Sequence, residues 1–172
     1  MHVLVTYATH LGSTQEIAER VAETLRREGV DAELRSVDEA DGSVASYDAH
    51  VVGSAVHAGH WLKPAKQFVE RHAAELEKRP VWLFSSGPIG DKAVHEPQPE
   101  PKEISEFRPL IVPRGHVVFG GAFDRTVADA KGGVLERAFN RFIPEGDYRD
   151  WPAIEGWARG IAKELNRDMV TV

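Results

Sequence analysis

Apolar and polar positions follow two rhythms along this chain. Val3-Leu4-Val5-Thr6-Tyr7 is a nearly unbroken apolar run, the pattern of a strand covered on both faces. Ile17, Val21 and Leu25 then recur at helical spacing, with Ala18 and Ala22 beside them, forming one core-facing stripe. Ser13 and Glu16 match a capping box, which predicts a helix beginning at Thr14, and Gly29 predicts its end. Ala32, Leu34 and Ser36 alternate with Glu33 and Arg35, as on a half-exposed edge strand. Asp38 to Tyr47 is acidic and polar and reads as a connection with one turn of helix.

The first rhythm returns at His50-Val51-Val52-Gly53-Ser54, at Val81-Trp82-Leu83-Phe84-Ser85-Ser86 and at Val117-Val118-Phe119-Gly120-Gly121, three further buried strands. The first opens into a loop over 55–61, followed by a helix from about Leu62 with Phe68, Val69, His72 and Leu76 on one side. The second opens into Gly87-Pro88-Ile89-Gly90. Prolines and charges make 91–102 an exposed, irregular stretch. Ile104, Phe107 and Leu110 suggest a short helix that Pro109 should cut or kink. In 122–149 the pattern supports one helix, Val134 to Phe142, and a turn at Pro144-Glu145-Gly146. Asp150 should cap a last helix with Pro152 in its first turn, turning Ile154, Trp157, Ile161 and Leu165 inward.

Strands alternating with helices predict an α/β fold: a doubly wound, five-stranded parallel sheet of order 2-1-3-4-5 in a three-layer α/β/α arrangement. One domain spans 1–172, with 122–149 as an extra segment after the last core strand. Ligands are then expected at the carboxyl ends of the strands.

Composition narrows the chemistry. A net charge of −6, with acids and bases interspersed, argues against nucleic acid as a partner. The absence of cysteine removes disulfides, thiolate catalysis and cysteine metal sites, and fits a reducing cytoplasm. The first apolar run is too short for a signal or a membrane span, so the expected place is the cytoplasm, with membrane contact at most peripheral, at the inner membrane face.

Three loops at the strand ends, 9–14, 55–61 and 85–90, are rich in Gly, Ser, Thr, Pro and His. The first lacks the lysine of a nucleoside-triphosphate loop and the GxGxxG of a dinucleotide site. Gly53-Ser54 and Gly120-Gly121 stand where a phosphoacceptor domain would need an aspartate and a lysine. What remains is a monophosphate held by backbone amides and hydroxyls at a helix start, with a planar group between the second and third loops. FMN meets both demands. Thr9, Ser13 and Thr14 can donate hydroxyl hydrogen bonds, Gly12 permits close approach, and His10 and Leu11 complete that loop. Ala55, Val56, His57, Gly59 and Trp61 come from the second loop, where His57 or Trp61 could stack on the ring. Gly59 would let a loop peptide flip its carbonyl toward the flavin N5. Ser85, Ser86 and Gly87 come from the third loop.

At these residues the chain resembles a known family. Thr9-His10-Leu11-Gly12-Ser13-Thr14 is similar to the T-x-T-G-N-T phosphate loop of flavodoxins, with serine in place of asparagine. Val52 to Trp61, followed by Phe68-Val69 and His72, resembles more specifically the menaquinone-dependent protoporphyrinogen oxidase branch, with its I-G-A-S-I-x-x-G-H run and F-V-x-x-H helix. Gly120-Gly121-Ala122 and Asp150-Trp151 with Ala158 and Ile161 also resemble that branch. The resemblance implies a flavodoxin-like fold, an FMN-dependent oxidoreductase, a small organic substrate and a quinone or redox protein as electron partner. The alternatives are a one-electron carrier of flavodoxin type and a fold relative that binds a partner without flavin. The branch's extra segment is typically basic and aromatic, whereas here Asp124, Asp129, Glu136, Glu145 and Asp147 mix with the bases.

Plainer roles are set beside these. His57 and His60 have an H-x-x-H spacing but no third ligand nearby, so no metal is expected. Trp61 can equally pack at the start of its helix, and Trp82 and Trp157 belong in the core. Val134, Leu135, Ala138, Phe139, Phe142 and Ile143 form one broad face expected to pack onto the domain rather than lie on a membrane. No side chain stands out as a general base.

Overall fold

The computed structural model describes residues 1–87, 89–90 and 98–170, together with the backbone but not the side chain of Phe139; most of the stretch expected to be irregular, 91–97, lies outside the described residues. Five strands form the parallel sheet: β1 (His2–Ala8), β2 (Asp31–Ser36), β3 (Ala49–His57), β5 (Val81–Ser86) and β6 (Gly115–Phe119). Their order is β2-β1-β3-β5-β6, which in the count of long strands is the 2-1-3-4-5 read from the sequence. The short β4 (His60–Trp61) turns back antiparallel on β3, pairing His60 with His57.

The apolar runs are continuous because each face of the sheet has its own cover. Val3, Val5, Val51 and Phe84 face α1 (Ser13–Arg27) and the last helix, α8 (Trp151–Val170), meeting Ile17, Val21, Leu25, Ile154 and Leu165. Leu4, Val52 and Leu83 face the other way, onto Phe68, Leu76, Ile104 and Phe107. That second layer is built from α2 (Val37–Ala40), α3 (Lys63–Arg71), α4 (Ala73–Leu76) and α5 (Lys102–Ile111). Gly53 is needed for packing: a Cβ there would stand 1.9 Å from the ring of Phe84 on the neighbouring strand. That ring is fully buried and lies 6.0 Å from the ring of Trp157. Trp157 itself is half-buried, its indole leaning on the core from the rim, whereas Trp82 is buried.

Several local expectations are corrected. Ser13 and Glu16 do not form a capping box. Gly12 caps α1 at φ +104° with no side-chain cap bond, and Glu16 is drawn to Arg149 at 2.6 Å. The box forms instead at Ser36 and Glu39, where both of its bonds are present. Strand β3 runs on through Ala55-Val56-His57, which the sequence assigned to a loop. The helix at Ile104 continues two residues past Pro109 and ends at Val112 with φ +43°, so Ile111, not Leu110, is buried. Asp150 does cap α8, its Oδ1 accepting from Ala153 N–H at 3.0 Å.

The extra segment forms two short helices where one was expected: α6 (Arg125–Lys131) and α7 (Val134–Asn140). A two-stranded ribbon closes its base, β7 (Ala122–Phe123) against β8 (Gly146–Asp147). Val134, Leu135 and Phe142 are exposed rather than packed onto the domain. A seven-residue helix is too short to bury a face that wide while Asn140 and Arg137 tie it to Asp129 on α6. Among the described residues no helix is long and apolar enough to cross a membrane.

Candidate functional site

Strand β1 delivers the chain to the carboxyl edge of the sheet, where Thr9 to Gly12 turn into α1. Gly12 N–H donates to Thr9 Oγ1 at 3.0 Å, leaving the Thr9 hydroxyl proton free to donate. The first helical bond runs from Glu16 N–H to Gly12 O at 3.2 Å. The amides of Ser13, Thr14 and Gln15 therefore precede any carbonyl that the helix can offer them. Thr14 is fully buried, and its Oγ1 has no hydrogen-bond partner among the described residues. A buried, unpaired hydroxyl costs about 1–3 kcal/mol, and an oxygen-rich anion at this amide-rich helix start could relieve that cost.

The three loops named from the sequence meet in one cleft of about 680 Å³. Thr9, His10, Leu11, Ser13 and Thr14 line one end. Ala55, Val56 and His57 line it from the second loop, and Ser86 and Gly87 from the third. Gly87 lets these two approach: a Cβ there would stand 2.9 Å from Val56 Cβ. Gly12 is present as the helix cap, and Gly59 lies exposed in the turn after His57.

Trp61 and Ser85 are buried and are not part of the cleft's lining. Trp61 is 4% exposed, its ring 5.3 Å from Phe107 and its Nε1–H donating to Ser85 Oγ at 2.7 Å. It packs at the start of its helix, whereas His57 is exposed and lines the cleft. Ser85 Oγ also lies 2.8 Å from His116 Nε2, and the carboxylate on the other side of that ring, Glu100, can only accept, so in the neutral imidazole Nε2 accepts from the Ser85 hydroxyl. His116 then carries its hydrogen on Nδ1 and donates to Glu100 Oε1 at 3.1 Å. Burial holds the His116 imidazole below its usual pKa against the pull of Glu100.

The hairpin itself is tight. Ala58 and Gly59 have φ values of +50° and +83°, the signature of a two-residue type I′ turn. Glu103, 4% exposed, reaches it from α5: Oε2 accepts from Trp61 N–H at 3.1 Å, and Oε1 lies 2.9 Å from His60 Nδ1. Burial works to raise the pKa of this carboxyl, but the bonds from His60 and Trp61 outweigh it and hold the group below the usual carboxylate range.

The sequence reading missed the remaining wall. Leu62, Ile89, Gly121 to Phe123, and Ala128, Gly132, Leu135, Glu136, Asn140 and Ile143 of the extra segment complete the lining. Two cations clip that segment to the first loop. Lys131 Nζ donates to His10 O at 3.2 Å, and Arg149 Nη1 to Ser13 O at 3.4 Å. The available signal was the pair of small residues Ala128 and Gly132, four apart, the first on α6 and the second its C-cap.

The sequence profile of the flavodoxin domain matches residues 4–130. The chain belongs to the flavodoxin domain family. Protoporphyrinogen IX dehydrogenase [quinone] of Escherichia coli K12 is 29% identical over 93 residues, which are 54% of this chain and 51% of that one. The chain thus spans about half the length of the curated relatives it matches, and it lies near the branch that its 52–72 run resembles. Among solved structures, the flavodoxin of Streptococcus pneumoniae TIGR4 superposes with a TM-score of 0.58 at 16% identity, over 95% of this chain and 99% of that one. Rubredoxin:oxygen oxidoreductase of Desulfovibrio gigas gives 0.61 at 15%, over 98% of this chain and 37% of that one. The first of these establishes the flavodoxin fold for this chain.

Proposed function

We propose that this flavodoxin-family chain is an FMN-dependent oxidoreductase that passes electrons from a small organic substrate to a quinone, as protoporphyrinogen oxidases do. The observation that carries the reading is Thr14 Oγ1, buried and unpartnered at the amide-rich start of α1. The Thr14 hydroxyl and the Ser13, Thr14 and Gln15 amides would hold the FMN phosphate, which would accept from them. The hydroxyls of Thr9 and Ser13 would hold the same group from the cleft side. The ring would lie between Val56-His57 and Ser86-Gly87.

When bound, FMN supplies a two-electron relay: the organic donor loses two electrons and two protons, and the quinone gains two of each to become the quinol. The chain's part is to bind and orient the cofactor and to shield it from water, the last through Leu135 and Ile143 of the extra segment. The similarity to the E. coli relative supports a porphyrinogen as donor. FMN-loaded protein should oxidise protoporphyrinogen anaerobically with menadione as acceptor. Oxidation no faster than with free FMN would contradict this assignment of the substrate.

The second reading is a one-electron carrier, favoured by the net charge of −6, which suits docking onto basic redox proteins.

A further inference from the structure

The β3–β4 hairpin bears on the choice between these two readings. Its turn residues, Ala58 and Gly59, are exposed and both at positive φ. The strand that returns from the turn is tied down at every residue. His60 Nδ1 and Trp61 N–H are on Glu103, Trp61 Nε1 is on Ser85, and Leu62 N–H donates to Ser54 Oγ at 3.0 Å.

A two-residue hairpin has few other forms to visit. Turning the Ala58–Gly59 peptide over within the hairpin gives a type II′ turn, whose first central position calls for glycine. Here that position is Ala58, and the glycine is second. Types I and II would suit Ala58, but they splay the two strands. Splaying would pull His60 and Trp61 off Glu103 and leave a buried carboxylate without its partners, which costs more than a neutral loss. The residue in the turn and the carboxylate on α5 exclude different escapes, so together they leave one form.

We propose that the hairpin is a locked rim of the cleft, held by Ala58 and by the buried Glu103 carboxylate, so that the site favours transfer of electrons in pairs over storage of a single one. The inference rests on the flavin reading above. Holding a lone electron on a flavin is favoured where a main-chain carbonyl can turn to accept from the ring's N5–H. A rim that cannot turn withholds that acceptor. Both electrons then leave the organic donor and reach the quinone together. Glu103 is a positioning residue in this scheme: it acts through His60 and Trp61.

The test compares the full chain with Glu103→Leu and Ala58→Gly. Ala58→Gly sits on the surface at a φ that glycine prefers, so its folding is not at issue. Potentiometric titration of the FMN-loaded wild type should show one two-electron wave. In both variants the first-electron potential should rise relative to the second by at least about 59 mV, a tenfold change for a one-electron couple. In the flavin-free Glu103→Leu chain, which has no acceptor at that position, the Trp61 amide should exchange with deuterium at least tenfold faster than in wild type. Widely separated potentials in the wild type, or an unchanged gap in both variants, would overturn the proposal. A chain that binds no FMN would contradict the flavin reading instead. The exchange measurement would then decide alone, with an unchanged Trp61 amide overturning the clamp.

Discussion

Thr14→Val is expected to weaken FMN binding by about 10- to 100-fold while leaving the flavin-free chain as stable as wild type or more so. The two signs come from one atom. With the site empty of anion, Thr14 Oγ1 is buried and unpaired, a standing cost of about 1–3 kcal/mol that valine of nearly the same shape removes. With a phosphate in place, the hydroxyl donates to a charged acceptor, a bond worth about 1.5–3 kcal/mol that valine cannot make. Calorimetric titration with FMN reads the first effect, and urea unfolding of the flavin-free chain reads the second. Equal affinity in the two proteins would mean that this hydroxyl faces no ligand. Lower stability of the variant would mean that a partner for it exists within the fold.

Acidification from pH 7 to pH 4 is expected to cost stability on the order of 3 kcal/mol through His50 alone, at about 1.4 kcal/mol per pKa unit. His50 lies on β3 at the end of the sheet remote from the cleft, 1% exposed, with Nε2 lacking a partner among the described residues. Burial, reinforced by the charges of Arg79 and His72, pushes its pKa down from 6.5 to about 4. The native chain therefore keeps this ring neutral where the unfolded chain has already taken up a proton. Stability is full above about pH 6.5, falls as the pH drops toward 4, and levels off below. The lowered carboxylates, such as Glu100 and Asp147, lose their contributions at the acid end of this window and beyond. The informative quantity is thus the difference between wild type and His50→Leu. Denaturant midpoints at several pH values should show a flatter profile for the variant between pH 4 and 6.5, and parallel profiles would contradict the assignment.

The parts of the fold that were legible are those decided by local pattern. β5 was bounded correctly because six consecutive buried positions leave no choice of face. Asp150 was readable as a cap because its partner, Ala153 N–H, lies three residues away. The same kind of pattern misled at Ser13 and Glu16, where an S-x-x-E box competes with Arg149, 133 residues distant. Ser36 and Glu39 had no such competitor, and there the box forms. The cleft follows this division. The end lined by residues 9–14 could be read from six consecutive residues, whereas its far wall depends on Lys131 reaching His10 across 121 positions. Trp61 was an ambiguous aromatic until strand alternation was known: β4 pairs with β3 so that His60 faces solvent and Trp61 the interior.

Equilibrium titration of the flavin-free chain with FMN tests residues 9–14 as an FMN phosphate site most directly. The expected result is saturable binding of one FMN per chain, with a rise in unfolding temperature that tracks occupancy and is absent with riboflavin at the same concentration. Riboflavin binding as tightly as FMN would show that the loop grips no phosphate, and no saturable binding of either would contradict the whole reading.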